Sequence, residues 1–253
     1  MNGAYVVVVV VVVQLCCASR LSIGAEQTTP DQINHAVFLR GSNPPRRNTA
    51  SQARVYYEDN KSWQEFSPPG SEYFVRHSIP PGSFFNPPLH LHLFQTERFR
   101  CVSGTGVWYQ PTHPDPSKQK VVMRGGDPHI TLQAGLFHRF ENASKDQDLV
   151  VDIGLDPESQ DAEMEHRFFR NFFGYLEDCR VQKTEPSLFQ LELFLWTVDG
   201  PLAIPVPGIP NGMNWWISRG FMVVLGKWIG ESLLGYRASY PEYYAGPMGK
   251  RVD

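Results

Sequence analysis

Pro88-Leu-His90-Leu-His92-Leu-Phe-Gln-Thr-Glu97, closing at Gly104, decides how the 253-residue chain is read. His90 and His92 stand two apart. On a strand, residues i and i+2 point to the same face, so both imidazoles enter one space while Leu89, Leu91 and Leu93 face the other way. Glu97 follows after a short turn and can return a carboxylate to that space. Gly104 then supplies a tight turn. Downstream, Gly135-Leu-Phe-His138-Arg-Phe-Glu-Asn142 repeats the logic: a glycine turn leads into a strand on which His138 is the first polar residue that faces inward.

Short β-rich pieces surround these two stretches. They fall at 36–39, 53–57, 73–77, 89–94, 98–102, 107–110, 120–123, 129–132, 137–140 and 149–155. Pro68-Pro69-Gly70, Pro80-Pro81-Gly82, Asn86-Pro87-Pro88, Ser103-Gly104 and Gly125-Gly126-Asp127-Pro128 punctuate them, and 111–118 reads as an exposed loop. About ten strands at this spacing mean a sandwich or barrel. The pattern then changes to helical: 161–180 carries Met164, Phe168, Phe172 and Leu176 on one face, 188–198 is almost wholly apolar, and 214–234 is apolar but holds Arg219, Lys227 and Glu231. The expected organisation is an N-terminal apolar segment (1–30), a β-barrel (31–157) and a helical extension packed on it (158–253).

Composition narrows the function classes. The formal net charge is -3, and no basic run suits nucleic acid. No phosphate-binding glycine loop, dinucleotide fingerprint or G-x-S-x-G exists, so redox chemistry would rest on a metal. Three imidazoles and one carboxylate suit one divalent transition metal, Fe, Mn, Ni, Cu or Zn. Their summed charge of -1 leaves a site of about +1 around a dication, attractive to an anionic or enolate oxygen. Of the four cysteines, Cys16 and Cys17 are adjacent, and Cys101 and Cys179 are read as buried thiols in preference to a disulfide. Residues 4–18, with Val6 to Val13 unbroken, have the length of a signal-peptide core but lack a preceding Lys or Arg. The alternative is a low-complexity extension. Localisation is therefore secretory if the segment is a leader and cytoplasmic otherwise. Asn60-Lys61-Ser62 and Asn142-Ala143-Ser144 match the glycosylation acceptor pattern, which chance also produces.

The two stretches read H-x-H-x4-E-x6-G and G-x2-H-x3-N. In this they resemble the paired motifs of the cupin superfamily, over roughly residues 80–155. The resemblance implies a mainly β fold, the cupin double-stranded β-helix (jelly-roll) barrel, with His90, His92, Glu97 and His138 as metal ligands. The departures lie in turns: seven residues separate Gly82 from His90 where the family has five, Gln133 stands for a proline, and Asp127 stands for a glycine. Arg167-Phe-Phe-Arg-Asn-Phe-Phe-Gly-Tyr-Leu-Glu-Asp-Cys179 and Leu234-Gly-Tyr-Arg-Ala-Ser-Tyr-Pro-Glu-Tyr243 are similar to the tails of fungal single-domain cupin oxidoreductases of polyketide gene clusters. That likeness implies a metal-dependent oxidoreductase acting on a small molecule. Glu97 would remain a ligand or dissociate to act as a catalytic base. Isomerase, dehydratase or decarboxylase chemistry, and a non-enzymatic ligand-binding protein, are the alternatives.

His77, Phe99, Trp108, His129 and Phe140 are expected to line the pocket, with Phe137 beside them. His35, His113 and His166 are read as surface or core residues. The expected partners are the small-molecule substrate, a peripheral membrane contact through 214–234 around Trp215, Trp216 and Phe221, and a second copy in a homodimer.

Overall fold

The computed structural model describes residues 43–68, 70–156, 163–204 and 211–246. The N-terminal apolar segment and the strand expected at 36–39 lie outside these. The described strands are β1 (Arg54–Tyr57), β2 (Ser62–Phe66), β3 (Val75–Ile79), β4 (Thr96–Ser103), β5 (Thr105–Tyr109), β6 (Lys120–Arg124), β7 (Ile130–Leu132), β8 (Arg139–Asn142) and β9 (Leu149–Asp156). The helices are α1 (Met164–Val181), α2 (Leu188–Thr197) and α3 (Asn211–Met222), the last continuing as a π-helical stretch, Val223–Leu233.

Two antiparallel sheets form, in the orders β1-β2-β3-β9-β4-β7 and β6-β5-β8. Residues 89–94, expected as a strand, form no regular ladder, and bends stand at 89 and 93–94. His90 alone bridges His138, through His90 N to His138 O at 3.0 Å and His138 N to His90 O at 2.8 Å. That bridge places the stretch beside β8, at the edge of the second sheet. Counted from β3, eight extended segments then alternate between β3-β9-β4-β7 and (89–93)-β8-β5-β6, the order of two Greek keys folded into a jelly roll. The fold is mainly β with a helical C-terminal extension, as the sequence implied. Among the described residues the hydrogen bonding closes no barrel; the sheets face one another as two layers.

Strand alternation directs the core. Val75, Ile79, Phe99, Cys101, Leu132, Leu149, Val151 and Ile153 point from the first sheet into the interior, against Trp108 and Phe140 from the second. The first sheet is the wider. Its surplus inward face, on β1 to β3, is covered by α1, whose Phe173 ring lies 6.2 Å from Tyr57 and 5.3 Å from His77. β2 buries Ser62, Gln64 and Phe66 and leaves Trp63 half-buried under the Arg54 guanidinium, 4.2 Å away. Its polar inward face hid this strand from a hydrophobic pattern.

On the outer face, Asp152 accepts from Arg76 at 2.6 Å and from Arg100 at 2.6 Å. Burial raises its pKa, and the two guanidiniums outweigh that and hold it below the usual carboxylate range. Cys101 and Cys179 are both buried, and no disulfide joins them. Residues Thr49 and Ala50 hydrogen-bond through their amides to Glu242 O, and Arg47 and Tyr243 both meet the buried Asp178 carboxylate. The beginning and end of the described chain are thereby held against α1.

Candidate metal centre

The local chain path makes the cluster. Glu97 and Phe99 share the inward face of β4, and His138 and Phe140 share the inward face of the segment entering β8. The bridge at His90 sets the third ligand against His138, and the i, i+2 spacing brings His92 to the same side. The four ligating atoms of His90, His92, Glu97 and His138 lie within 4.8 Å of one another. Ring centroids stand 5.3 Å apart for His90 and His92, 4.5 Å for His90 and His138, and 5.5 Å for His92 and His138. His92, Glu97 and His138 are buried and His90 is half-buried.

The backbone sets the tautomers of two imidazoles. His90 Nδ1 lies 2.8 Å from Pro88 O, and His138 Nδ1 lies 2.8 Å from Leu136 O. A carbonyl only accepts, so each Nδ1 carries the proton and each Nε2 keeps a lone pair, the arrangement that second-sphere carbonyls give to metal-binding histidines. His138 Nε2 nevertheless faces Glu97 Oε2 at 3.0 Å, and His92 Nε2 lies 3.6 Å from the same oxygen. Both ring nitrogens of His92 are buried without a hydrogen-bond partner among the described residues.

The donor set thus holds more lone pairs than protons, and a cation among them satisfies the surplus. Metal bonds of about 2.0–2.2 Å fit this spacing after small side-chain adjustments. Burial, reinforced by His138 and His92, pushes the His90 pKa down to about 3, which keeps it neutral. Burial pushes Glu97 up, but the imidazoles of His138 and His92 outweigh it and hold the carboxyl far below the usual range. Neutral imidazoles and an ionised carboxylate are the ligating forms. The residues present therefore fit a divalent metal.

Beneath the cluster lies an aromatic floor. Trp108 stacks on Phe140 at 5.6 Å, and Phe99 meets Phe140 at 4.9 Å and Trp108 at 5.5 Å. All three are buried, and they sit one strand repeat below Glu97 and His138. Phe137, also buried, takes the opposite face from His138, and its amide donates to Thr112.

His77 points inward but toward the far end of the sheet. Its row runs through Val151 to Cys101, while Glu97 pairs with Leu155, and its neighbours are Phe173 and Ser62. Burial pushes its pKa down to about 3, so it is a neutral core histidine. His129 does not line the interior: the turn ending at Pro128 leaves it exposed ahead of β7.

One inward residue was not foreseen. Gln110, 3% exposed, follows β5 in register opposite His138. Its Nε2 donates to Lys118 O at 3.1 Å, and its buried Oε1 has no partner. The alternation Trp108, Gln110 on β5 was the signal that could have found it. Gln95, two residues before Glu97 on the same face, donates to the buried Glu165 of α1 at 3.2 Å. The outer edge of the His90 segment is also covered: Leu91 N and Leu93 N donate to Pro201 O and Asp199 O, and Ala203 N donates to Leu89 O.

No protein-family profile matches the chain. Among curated proteins it is 30% identical over 218 residues to the probable oxidoreductase virH of Hypocrea virens, covering 83% of this chain and 94% of that protein. It is also 30% identical over 207 residues to the oxidoreductase iacF of Pestalotiopsis fici, covering 75% and 93%. The epoxidase atD of Aspergillus terreus is 26% identical over 162 residues, covering 62% and 46%. Among solved structures, CapF, the capsular polysaccharide assembling protein of Staphylococcus aureus, gives a TM-score of 0.32 at 20% identity, covering 43% of this chain and 31% of that one. That likeness is too slight to bear on the fold, which the strand order establishes by itself. The relatives covered almost end to end are fungal oxidoreductases, and the chain belongs to the family of virH and iacF.

Proposed function

We propose that this protein is a metal-dependent cupin oxidoreductase of fungal secondary metabolism, acting on a small, polyketide-derived molecule. The observation that carries the metal reading is the surplus of lone pairs at His90, His92, Glu97 and His138, with two tautomers held by backbone carbonyls. The names of the relatives support oxidation as the reaction class. A divalent transition metal bound there would supply a Lewis acid for a carbonyl or enolate oxygen, or a redox centre.

The protein's own contribution is positional. Pro88 O and Leu136 O hold the Nδ1 protons of His90 and His138 and so aim both Nε2 atoms. Glu97 supplies the one negative charge of the donor set, which keeps the loaded site near +1 and favours an oxyanion of the substrate. Phe99, Trp108 and Phe140 exclude water below. The orphaned Oε1 of Gln110 offers a hydrogen-bond acceptor on the same inward face.

The test is elemental analysis of purified protein alongside the double variant His90→Ala/His92→Ala, with far-UV circular dichroism to monitor folding. The expected result is about one equivalent of a transition metal in the wild type and almost none in a folded variant. Wild-type protein with under a tenth of an equivalent, or a variant with full metal content, overturns the assignment.

A further inference from the structure

The continuous helix formed by α3 and the π-helical stretch turns its least apolar side inward. The buried positions are Asn214, Ser218, Met222, Gly226 and Gly230, spaced by four. A four-residue step overshoots a full turn in the α-helical part and falls short of one in the π-helical part, so the two drifts oppose and the stripe stays on one side. The contact is close: a Cβ at Gly226 would stand 2.6 Å from the Glu192 backbone of α2, and one at Gly230 would stand 2.8 Å from Phe189 O. The opposite side carries Trp216, Val224 and Trp228, exposed by 58%, 39% and 63%, and ends at Leu233, exposed by 76%. Phe221 and Ile217 flank this side half-buried. The charged residues keep to another flank, where Arg219 meets Asp199 and Lys227 pairs with Glu231. No helix among the described residues is long and apolar enough to cross a membrane.

We propose that this ridge seats the protein on an anionic lipid surface, with the helix lying in the interfacial plane. Two observations choose this occupant. The first is shape: the helix stands on a narrow, glycine-lined contact and presents a convex apolar ridge. A second copy offers the same ridge, and two crossing ridges bury only their crossing point, whereas a bilayer interface wraps a convex apolar face. Exposed tryptophans are the side chains that favour that depth.

The second observation is charge. Just past the helix, Leu234 lines a groove of about 570 Å³ together with Arg46, Arg237, Tyr240 and Glu242. Arg46 lies 3.6 Å over the Tyr240 ring, and its buried Nε has no hydrogen-bond partner among the described residues. Two guanidiniums against one carboxylate leave the groove at +1. A basic groove at the end of a helix that carries an apolar ridge matches an amphiphile whose headgroup is an anionic phosphodiester.

The full-length protein is sedimented with vesicles of phosphatidylcholine alone and with phosphatidylglycerol added. It is compared with Trp216→Ser/Trp228→Ser and with Arg237→Glu. All three side-chain changes lie at the surface, and circular dichroism confirms unchanged folding. The proposal expects binding to the anionic vesicles that falls by at least about tenfold in the double tryptophan variant. It expects Arg237→Glu to lose the preference for phosphatidylglycerol. Wild type that stays in solution overturns it, as does a tryptophan variant that binds like wild type. A wild-type dimer in analytical ultracentrifugation that the tryptophan variant converts to monomer would assign the ridge to self-association and overturn it equally.

Discussion

Glu192 on α2 is 1% exposed, and both its carboxylate oxygens are buried without a hydrogen-bond partner among the described residues. The glycine contact of the π-helical stretch against its backbone closes this region to water. Burial pushes its pKa from the usual 4.5 up to about 8. The acid is therefore neutral in the folded protein at pH 7 and ionised in the unfolded chain. Between pH 4.5 and 8 the unfolded state binds fewer protons than the folded state, so stability falls as pH rises through this window. The contribution is fully present below 4.5. At about 1.4 kcal/mol per pH unit the whole interval corresponds to about 5 kcal/mol. Glu192→Gln removes the ionisable group and keeps the shape. Guanidinium unfolding of both proteins at pH 5, 7 and 9 isolates the effect, because all other titrations cancel in the comparison. The variant should gain on wild type by several kcal/mol between pH 5 and pH 9. Parallel stability curves for the two proteins would show that Glu192 is hydrated or paired, and the reasoning would fail.

Two further outcomes concern packing. Gly226→Ala places a methyl against the Glu192 backbone, so it should destabilise by about 1–3 kcal/mol despite a helix-propensity gain of about 1 kcal/mol; thermal unfolding that rises or stays level would contradict the close helix contact. Phe99→Ala should cost about 3–5 kcal/mol in chemical denaturation while metal content is retained, since the ring is core packing under the cluster; a loss below about 1 kcal/mol would make it a wall of an open pocket instead.

The candidate metal quartet was legible because its information is local. A two-residue spacing gives a shared face on any extended backbone, and it did so even though residues 89–93 form no regular strand. The two-motif resemblance then joined Glu97 and His138 to the pair. The fold class was legible for a related reason: turn residues between short apolar pieces mark strand ends wherever they occur.

What failed depended on partners distant in the chain. β2 was missed because it turns Ser62 and Gln64 inward, and that face is covered by α1, which lies a hundred residues on. His77 faces inward as its strand position suggested, yet register along β3 and β9 sends it to the end of the sheet opposite Glu97. His129 was misplaced by a single turn. The apolar stretch 214–234 was read for what it contains, and the pattern that matters is its four-residue buried stripe, small or polar except at Met222. That stripe crosses from α-helical into π-helical winding, so no single helical period traces it.

The backbone bonds between residues 89–93 and 199–203 give the helical extension a further duty. A jelly roll of two open layers leaves the outermost strand of each layer with amides and carbonyls facing outward, a template for any stray extended chain. Here that strand carries two of the four metal-ligand candidates, and the connector after α2 occupies its free side. The extension is accordingly a selvage on the fabric of the sheet: it protects His90 and His92 from invasion by foreign strands, and it ties their spacing to the integrity of helices outside the β layers. A minimal jelly roll trimmed of its tail would lose both at once.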